Sequence, residues 1–186
     1  KQLKGCNILV YGVAGTGKTE FTRALSQDLG LECIEVAWAD DEGNPASREA
    51  RMSALRAAQH IFSKQNMLLL FDEVEDVFND GQKDYQLNKG WLNRMLEQNA
   101  VPTVWITNRV DVMDRAFLRR FDMIIEMKAP PRAKRREMIA RLTHGFLTEA
   151  EIEQLAEHED LVPAMLERAH KVTEEVGDVL NERDQA

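Results

Sequence analysis

The chain has 186 residues, 44% hydrophobic and 30% charged, with a formal net charge of −8. That length allows one buried core with a small appended domain, and the acidic balance removes any global electrostatic reason to expect nucleic acid, leaving only a local basic face as a route to it. Two separated cysteines, Cys6 and Cys33, argue against a disulfide scaffold and suit a reducing compartment, so a cytoplasmic protein is expected. No apolar run reaches membrane-spanning length and no signal segment opens the chain. It starts at Lys1, almost directly in a strand-like run, and is expected to be a fragment of something larger.

ILVY (8–11) is the first strand-sized apolar run. It leads into Gly12-Val13-Ala14-Gly15-Thr16-Gly17-Lys18-Thr19, which fits G-x-x-x-x-G-K-[ST] in full. The chemistry needs these residue types. Glycines let backbone N–H groups turn inward around an anion with no Cβ in the way. The helix that follows, 18–29 with Gly30 as its C-cap, adds its dipole and free N–H groups. Lys18 brings a charge to β/γ-phosphate oxygens and the Thr19 hydroxyl can ligate Mg²⁺. The stretch from Gly12 through Glu20 is therefore assigned to nucleotide binding.

CIEVA (33–37) is the second strand, followed by the polar loop WADDEGNPASR (38–48) and a helical pattern over 47–63. MLLLF (67–71) is apolar without alternation, as a strand covered on both faces requires. Asp72-Glu73 then stands at its C-terminal end, the end that faces the ligand crevice in open α/β sheets. There Asp72 can orient a Mg²⁺ shell and Glu73 can polarise a water for in-line attack on the γ-phosphate. A carboxylate beside the metal ligand suits water activation and fits a small-molecule kinase poorly.

A helix over 88–97 precedes VPTVWI (101–106), with Asn108 just past the strand. Asn108 either reaches the attacking water or the γ-phosphate, or serves as a turn former. Arg119 and Arg120 stand before the last strand, FDMIIEM (121–127), either presented to a neighbouring surface or as ordinary charged surface. Alternating strands and helices predict a parallel sheet with helices on both sides. The fold class expected is α/β: a phosphate-loop parallel sheet of about five strands flanked by helices, over 1–128, followed by a small helical lid domain over 129–186 that is incomplete if the tail continues. Pro130-Pro131 opens the first lid helix, Thr148 with Glu151 forms a capping box for the second, and Pro163 starts a third. The basic run PPRAKRREMIAR (130–141) lacks interleaved aromatics and reads as a solvated helix face. His60, His144, His158 and His170 show no metal spacing. Trp91 and Met95 recur at helical spacing, as core or subunit contacts.

GVAGTGKT, LLLFDE, VWITN and DRAFLRRFD, in this order, resemble the motifs of an AAA+ ATPase, well over 5–128 and loosely beyond. The resemblance implies ATP with Mg²⁺, Lys18 and Thr19 as phosphate and metal contacts, and Asp72 and Glu73 as metal partner and general base. It further implies Asn108 as polar sensor, and Arg119 and Arg120 reaching the γ-phosphate of a neighbouring subunit. A homo-oligomeric ring, a hexamer, and an unknown protein substrate to be remodelled follow from the same resemblance. Three departures stand out. Val13-Ala14 replaces a pair of prolines, the 38–51 loop lacks the aromatic–aliphatic–Gly trio of threading members, and Pro163-Ala164 stands where many members place an arginine. Two rival readings are a nucleotide-gated assembly scaffold with little turnover and a DNA-associated loader or helicase-like ATPase.

Overall fold

The computed structural model describes residues 5–39, 42–78, 85–143 and 145–184, with the side chains of 85–89, Trp91 and 174–184 outside that description. The expectations for His144 and for the Trp91 side chain therefore lie outside the described residues.

Five strands form: β1 (Asn7–Tyr11), β2 (Glu32–Glu35), β3 (Met67–Phe71), β4 (Thr103–Thr107) and β5 (Met123–Glu126). All pair in parallel, in the order β2-β3-β4-β1-β5. Parallel neighbours need long crossovers. These are supplied by α1 (Lys18–Asp28), α2 (Arg48–Ile61), the short α3 (Glu75–Phe78), α4 (Tyr85–Glu97) and the short α5 (Arg115–Leu118). The α/β class and the five-strand parallel sheet expected from the sequence are what is found.

Strand periodicity divides the core into two layers. Leu9, Leu69, Phe71 and Trp105 point to one face, packed with Met52 and Leu55 of α2, Phe78 of α3 and Leu92 and Leu96 of α4. Met95 lies partly buried against this layer. Val10, Leu68, Leu70, Val104 and Ile106 point to the other face. Because β3 and β4 contribute to both layers, they read as unbroken apolar runs. Trp105 anchors the first layer, with ring centroids of Phe71, Phe78 and Phe121 at 5.2, 5.8 and 6.1 Å. Its Nε1–H donates to Asn7 Oδ1 at 3.0 Å, so this large side chain is buried with its one polar atom satisfied. Truncating such a residue costs about 3–5 kcal/mol.

The chain divides into two compact units, the sheet body (1–12 and 18–127) and a second unit comprising Val13–Gly17 and Lys128–Ala186. In the second, α6 (Arg132–Thr143), α7 (Glu149–Glu157) and α8 (Pro163–Asp184) enclose Ile139, Ile152 and Ala156. Thr148 caps α7 in the expected capping box with Glu151. The basic run of α6 is used within this unit. Arg135 is buried and donates to the carbonyls of Ala156 and Pro130, while Arg132 and Arg136 pair with Glu153 and Glu149 of α7.

Candidate functional site

Parallel strands end on one side of a sheet. The register places Tyr11 opposite Thr107 and Phe71 opposite Trp105. Gly12, Asp72 and Asn108, which follow β1, β3 and β4, therefore leave the sheet along a common edge.

Gly12 has φ 146°, and a Cβ there would lie 2.1 Å from the Met127 carbonyl oxygen. Only glycine lets the end of β1 run this close to the residue after β5. Lys18, the first residue of α1, is 6% exposed, and its Nζ donates to Gly12 O at 2.9 Å. Burial pushes its pKa down, and the charges of Asp72 and Glu75 act against that shift. At the next residue, the Thr19 hydroxyl donates to Asp72 Oδ2 at 2.9 Å. A hydroxyl and a carboxylate side by side are hard oxygen donors, the kind Mg²⁺ accepts, so the residues fit the metal that the sequence implies.

Glu73 is exposed and has φ 52°, the one non-glycine with positive φ among the described residues. Its N–H donates to Asp72 Oδ1 at 2.8 Å. A cavity of about 310 Å³ lies beside it, lined by Glu35, Val36, Trp38, Arg51 and Asp72. Trp38 is 60% exposed, which decides against a packing role for it. Asn108 is exposed and its side chain makes no hydrogen bond among the described residues, while its backbone N–H donates to Glu75 Oε1 at 3.3 Å. The structure thus gathers Gly12, Lys18, Thr19, Asp72, Glu73 and Asn108 around one edge of the sheet body.

Arg119 and Arg120 follow α5, whose N-cap Asp114 accepts from Ala116 N–H at 2.7 Å. They differ. Arg120 pairs with Glu97, whereas Arg119 is exposed with no side-chain partner among the described residues. Glu20 is also exposed, and pairs with Arg23 at 2.6 Å.

Val13, Ala14, Gly15, Thr16 and Gly17 belong to the second unit. There the Thr16 hydroxyl donates to Val13 O at 2.9 Å and Gly15 O accepts from Ala164 N–H at 3.2 Å. A Cβ on Gly15 would lie 2.9 Å from Val162 Cγ2.

Two residues of this edge were not singled out from the sequence. Glu75, one of several acids that follow β3, accepts from the backbone N–H of Asn108. Arg51 lies buried on α2 against the Asp72-Glu73 corner. Its signal was a charge four residues before Leu55, hence on the apolar face of α2. Among the described residues, no group of three or more His, Cys, Asp and Glu side chains is arranged to hold a metal, and no helix is long and apolar enough to cross a membrane.

Residues 8–129 match the family model described as the ATPase family associated with various cellular activities (AAA). Protein SAV of Sulfolobus acidocaldarius is 28% identical over 149 residues, 71% of this chain and 18% of its own length. The proteasome-activating nucleotidase of Methanothermobacter thermautotrophicus is 28% identical over 165 residues, 80% of this chain and 40% of its own. The replication factor C large subunit of Nanoarchaeum equitans is 31% identical over 130 residues, 69% of this chain and 29% of its own. The chain thus spans less than half the length of each of these relatives. In fold it is similar to the crystal structure of the FIGL-1 AAA domain in complex with ADP, with a TM-score of 0.60 and 18% identity, covering 86% of this chain and 57% of that one.

Proposed function

The chain belongs to the AAA family of ATPases, and on that premise we propose that it is the ATP-hydrolysing module of a larger protein that assembles as a homo-oligomeric ring, a hexamer, and remodels a protein or complex. The observation that carries this reading is the direct Thr19–Asp72 pair, with Lys18 and Glu73 on either side of it in sequence and chemistry. We assign residues 129–186 as the helical lid of this module.

Lys18 supplies the positive charge for the β/γ-phosphates of ATP, and the glycine-rich stretch from Gly12 to Gly17 supplies N–H groups. Thr19 and Asp72 would hold Mg²⁺, which when bound neutralises charge on the phosphate oxygens. The Glu73 carboxylate takes a proton from water as the water oxygen bonds to the γ-phosphorus. The bond from that phosphorus to the β,γ-bridging oxygen breaks, leaving ADP and phosphate. Asn108, whose side chain has no hydrogen bond among the described residues, holds the water or the γ-phosphate in line. Arg119 and Arg120 are assigned to the γ-phosphate of the adjacent subunit, where a guanidinium stabilises charge as it spreads in transfer.

Glu73→Gln tests the assignment in the assembled parent protein. The amide keeps the shape and cannot accept the proton, so ATP binding persists while turnover falls by roughly 10²–10⁴-fold. Hydrolysis near the wild-type rate would remove Glu73 as the base. A wild-type protein that binds ATP and assembles without measurable turnover would instead favour the scaffold reading. The DNA-loading reading draws no support from the α6 basic run, whose Arg132, Arg135 and Arg136 are occupied by α7 and Pro130.

A further inference from the structure

Arg51 is 4% exposed on the face of α2 that also buries Met52 and Leu55. A guanidinium on an apolar face is costly unless its donors are used, so the location of its bonds is informative. Nη2 donates to Asp72 O, and Nη1 donates to Glu73 O at 3.2 Å and lies 3.6 Å from Asp76 Oδ2. The guanidinium carbon sits 4.6 Å from the centroid of the Phe71 ring. Every one of these groups belongs to 71–76, the turn that carries Glu73.

The two carbonyls are not equivalent to any two backbone acceptors. The Asp72 carbonyl belongs to the peptide group before the Glu73 Cα, and the Glu73 carbonyl to the peptide group after it. The relative orientation of those two planes is what φ and ψ of Glu73 describe. One rigid, planar fork therefore grips both sides of a single Cα, and that residue has φ 52°. A bulky non-glycine residue stays in this region only where its surroundings over-determine it. Further bonds complete the corner: Glu73 N–H to Asp72 Oδ1 at 2.8 Å and Val74 N–H to Ile106 O at 3.0 Å.

We propose that Arg51 is a positioning residue for hydrolysis: it holds the Glu73 backbone in its left-handed conformation and so sets the direction in which the Glu73 carboxylate meets the attacking water. The proposal rests on the assignment of Glu73 as general base. An apolar side chain would fill the same volume at lower desolvation cost, but it would leave the Asp72 and Glu73 carbonyls without this donor and Glu73 free to relax. Lysine keeps the charge and loses the fork, so it cannot bond both carbonyls in one plane.

The test uses the full-length protein in its assembled state, with kcat and KM for ATP measured for wild type, Arg51→Lys, Arg51→Met, Asp76→Asn and Glu73→Gln. A misaimed catalytic group costs on the order of 10²-fold, so kcat for Arg51→Lys is expected to fall roughly 10–100-fold, with KM within about threefold because the phosphate contacts are untouched. Asp76→Asn loosens Arg51 from an exposed position and is expected to lower kcat several-fold with an unchanged melting temperature. In the Glu73→Gln background, Arg51→Lys should cause no further loss, since it acts through the carboxylate already removed. A merely structural arginine would lower melting temperature and leave the kcat of the folded fraction alone, and that result overturns the proposal. Should neither Arg51 variant fold, Asp76→Asn with wild-type kcat overturns it too. Wild-type turnover in Glu73→Gln is a different failure: it removes the base assignment itself, and the proposal with it.

Discussion

Arg120 donates through Nε to Glu97 Oε1 at 3.1 Å, reaching across 23 residues of sequence from just beyond α5 to the end of α4, and a second bond ties its Nη1 to Ala116 O. Its neighbour Arg119 has no such tether among the described residues. Two adjacent arginines that look alike in sequence thus differ within the chain: Arg120 is tethered to Glu97 and Ala116, and Arg119 has no side-chain partner among the described residues.

Arg119→Ala is therefore expected to lower hydrolysis in the assembled protein by about 10³–10⁵-fold, the range for a guanidinium supplied in trans. Arg120→Ala is expected to fall short of that and to cost less than about 1 kcal/mol of stability, since its pair with Glu97 is largely solvated. Mixing Glu73→Gln with Arg119→Ala subunits checks the trans role, because an intact base can then meet an intact arginine. A mixture as inactive as its parts, with co-assembly demonstrated, would exclude it.

Lys18 makes ATP affinity pH-dependent in a stated direction. Burial holds its pKa below that of an ordinary lysine, so its charge is lost at a lower pH than usual as alkali is added. Only the charged form attracts phosphate, so affinity is expected to decline between neutrality and pH ~10, ahead of the titration of a free lysine. Fluorescent-analogue titrations across that range measure it. Lys18→Ala should bind weakly at neutral pH and show a flat profile, whereas a wild-type affinity at neutral pH would contradict the phosphate contact.

Gly12→Ala combines two penalties, a φ of 146° and a methyl carbon 2.1 Å from the Met127 carbonyl oxygen. Backbone strain and overlap of this kind each cost about 1–3 kcal/mol. A melting temperature lower by on the order of 10 °C is expected, together with weakened ATP binding. A variant that melts with the wild type would show that the ends of β1 and β5 separate freely.

The N-terminus of α7 has its own acid-sensitive feature. Thr148 N–H and hydroxyl both bond Glu151 Oε2 at 2.7 Å, and these bonds hold the Glu151 carboxyl below its ordinary value. A carboxyl with a depressed folded pKa contributes stability that is present above its unfolded value, and that stability is lost as the pH falls through the folded value. Thr148→Ala should cost α7 about 1 kcal/mol at neutral pH. The difference between wild type and Glu151→Gln in unfolding of the second unit should shrink below pH ~4. A difference that persists unchanged into acid would dissociate Glu151 from the cap.

The phosphate loop, the acidic pair and the strands were legible because their signals are local. A glycine at a fixed spacing, a lysine after it and a run of apolar residues each report a backbone need within a few positions. The capping box of α7 is local for the same reason, as Thr148 and Glu151 lie within one helical turn. The boundaries shifted by one to three residues, the most at the start of α4, expected at 88 and found at Tyr85, since helix and strand ends depend on caps that lie next to them.

Other relationships needed the folded chain. The strand order β2-β3-β4-β1-β5 follows from which faces pack together, so the last strand, β5, neighbours the first. That Arg120 is tethered depends on Glu97. Which α6 arginines are paired depends on glutamates of α7, 13 to 21 residues away. Arg51 becomes intelligible only when α2 lies against the end of β3, 21 residues on. The sequence by itself determined the chemistry available, because glycine, lysine and carboxylate have their properties wherever they stand. Tertiary structure alone decided which charges are paired within the chain, because a charge is satisfied by whatever lies within a few ångströms, and folding chooses those neighbours without regard to their distance along the chain.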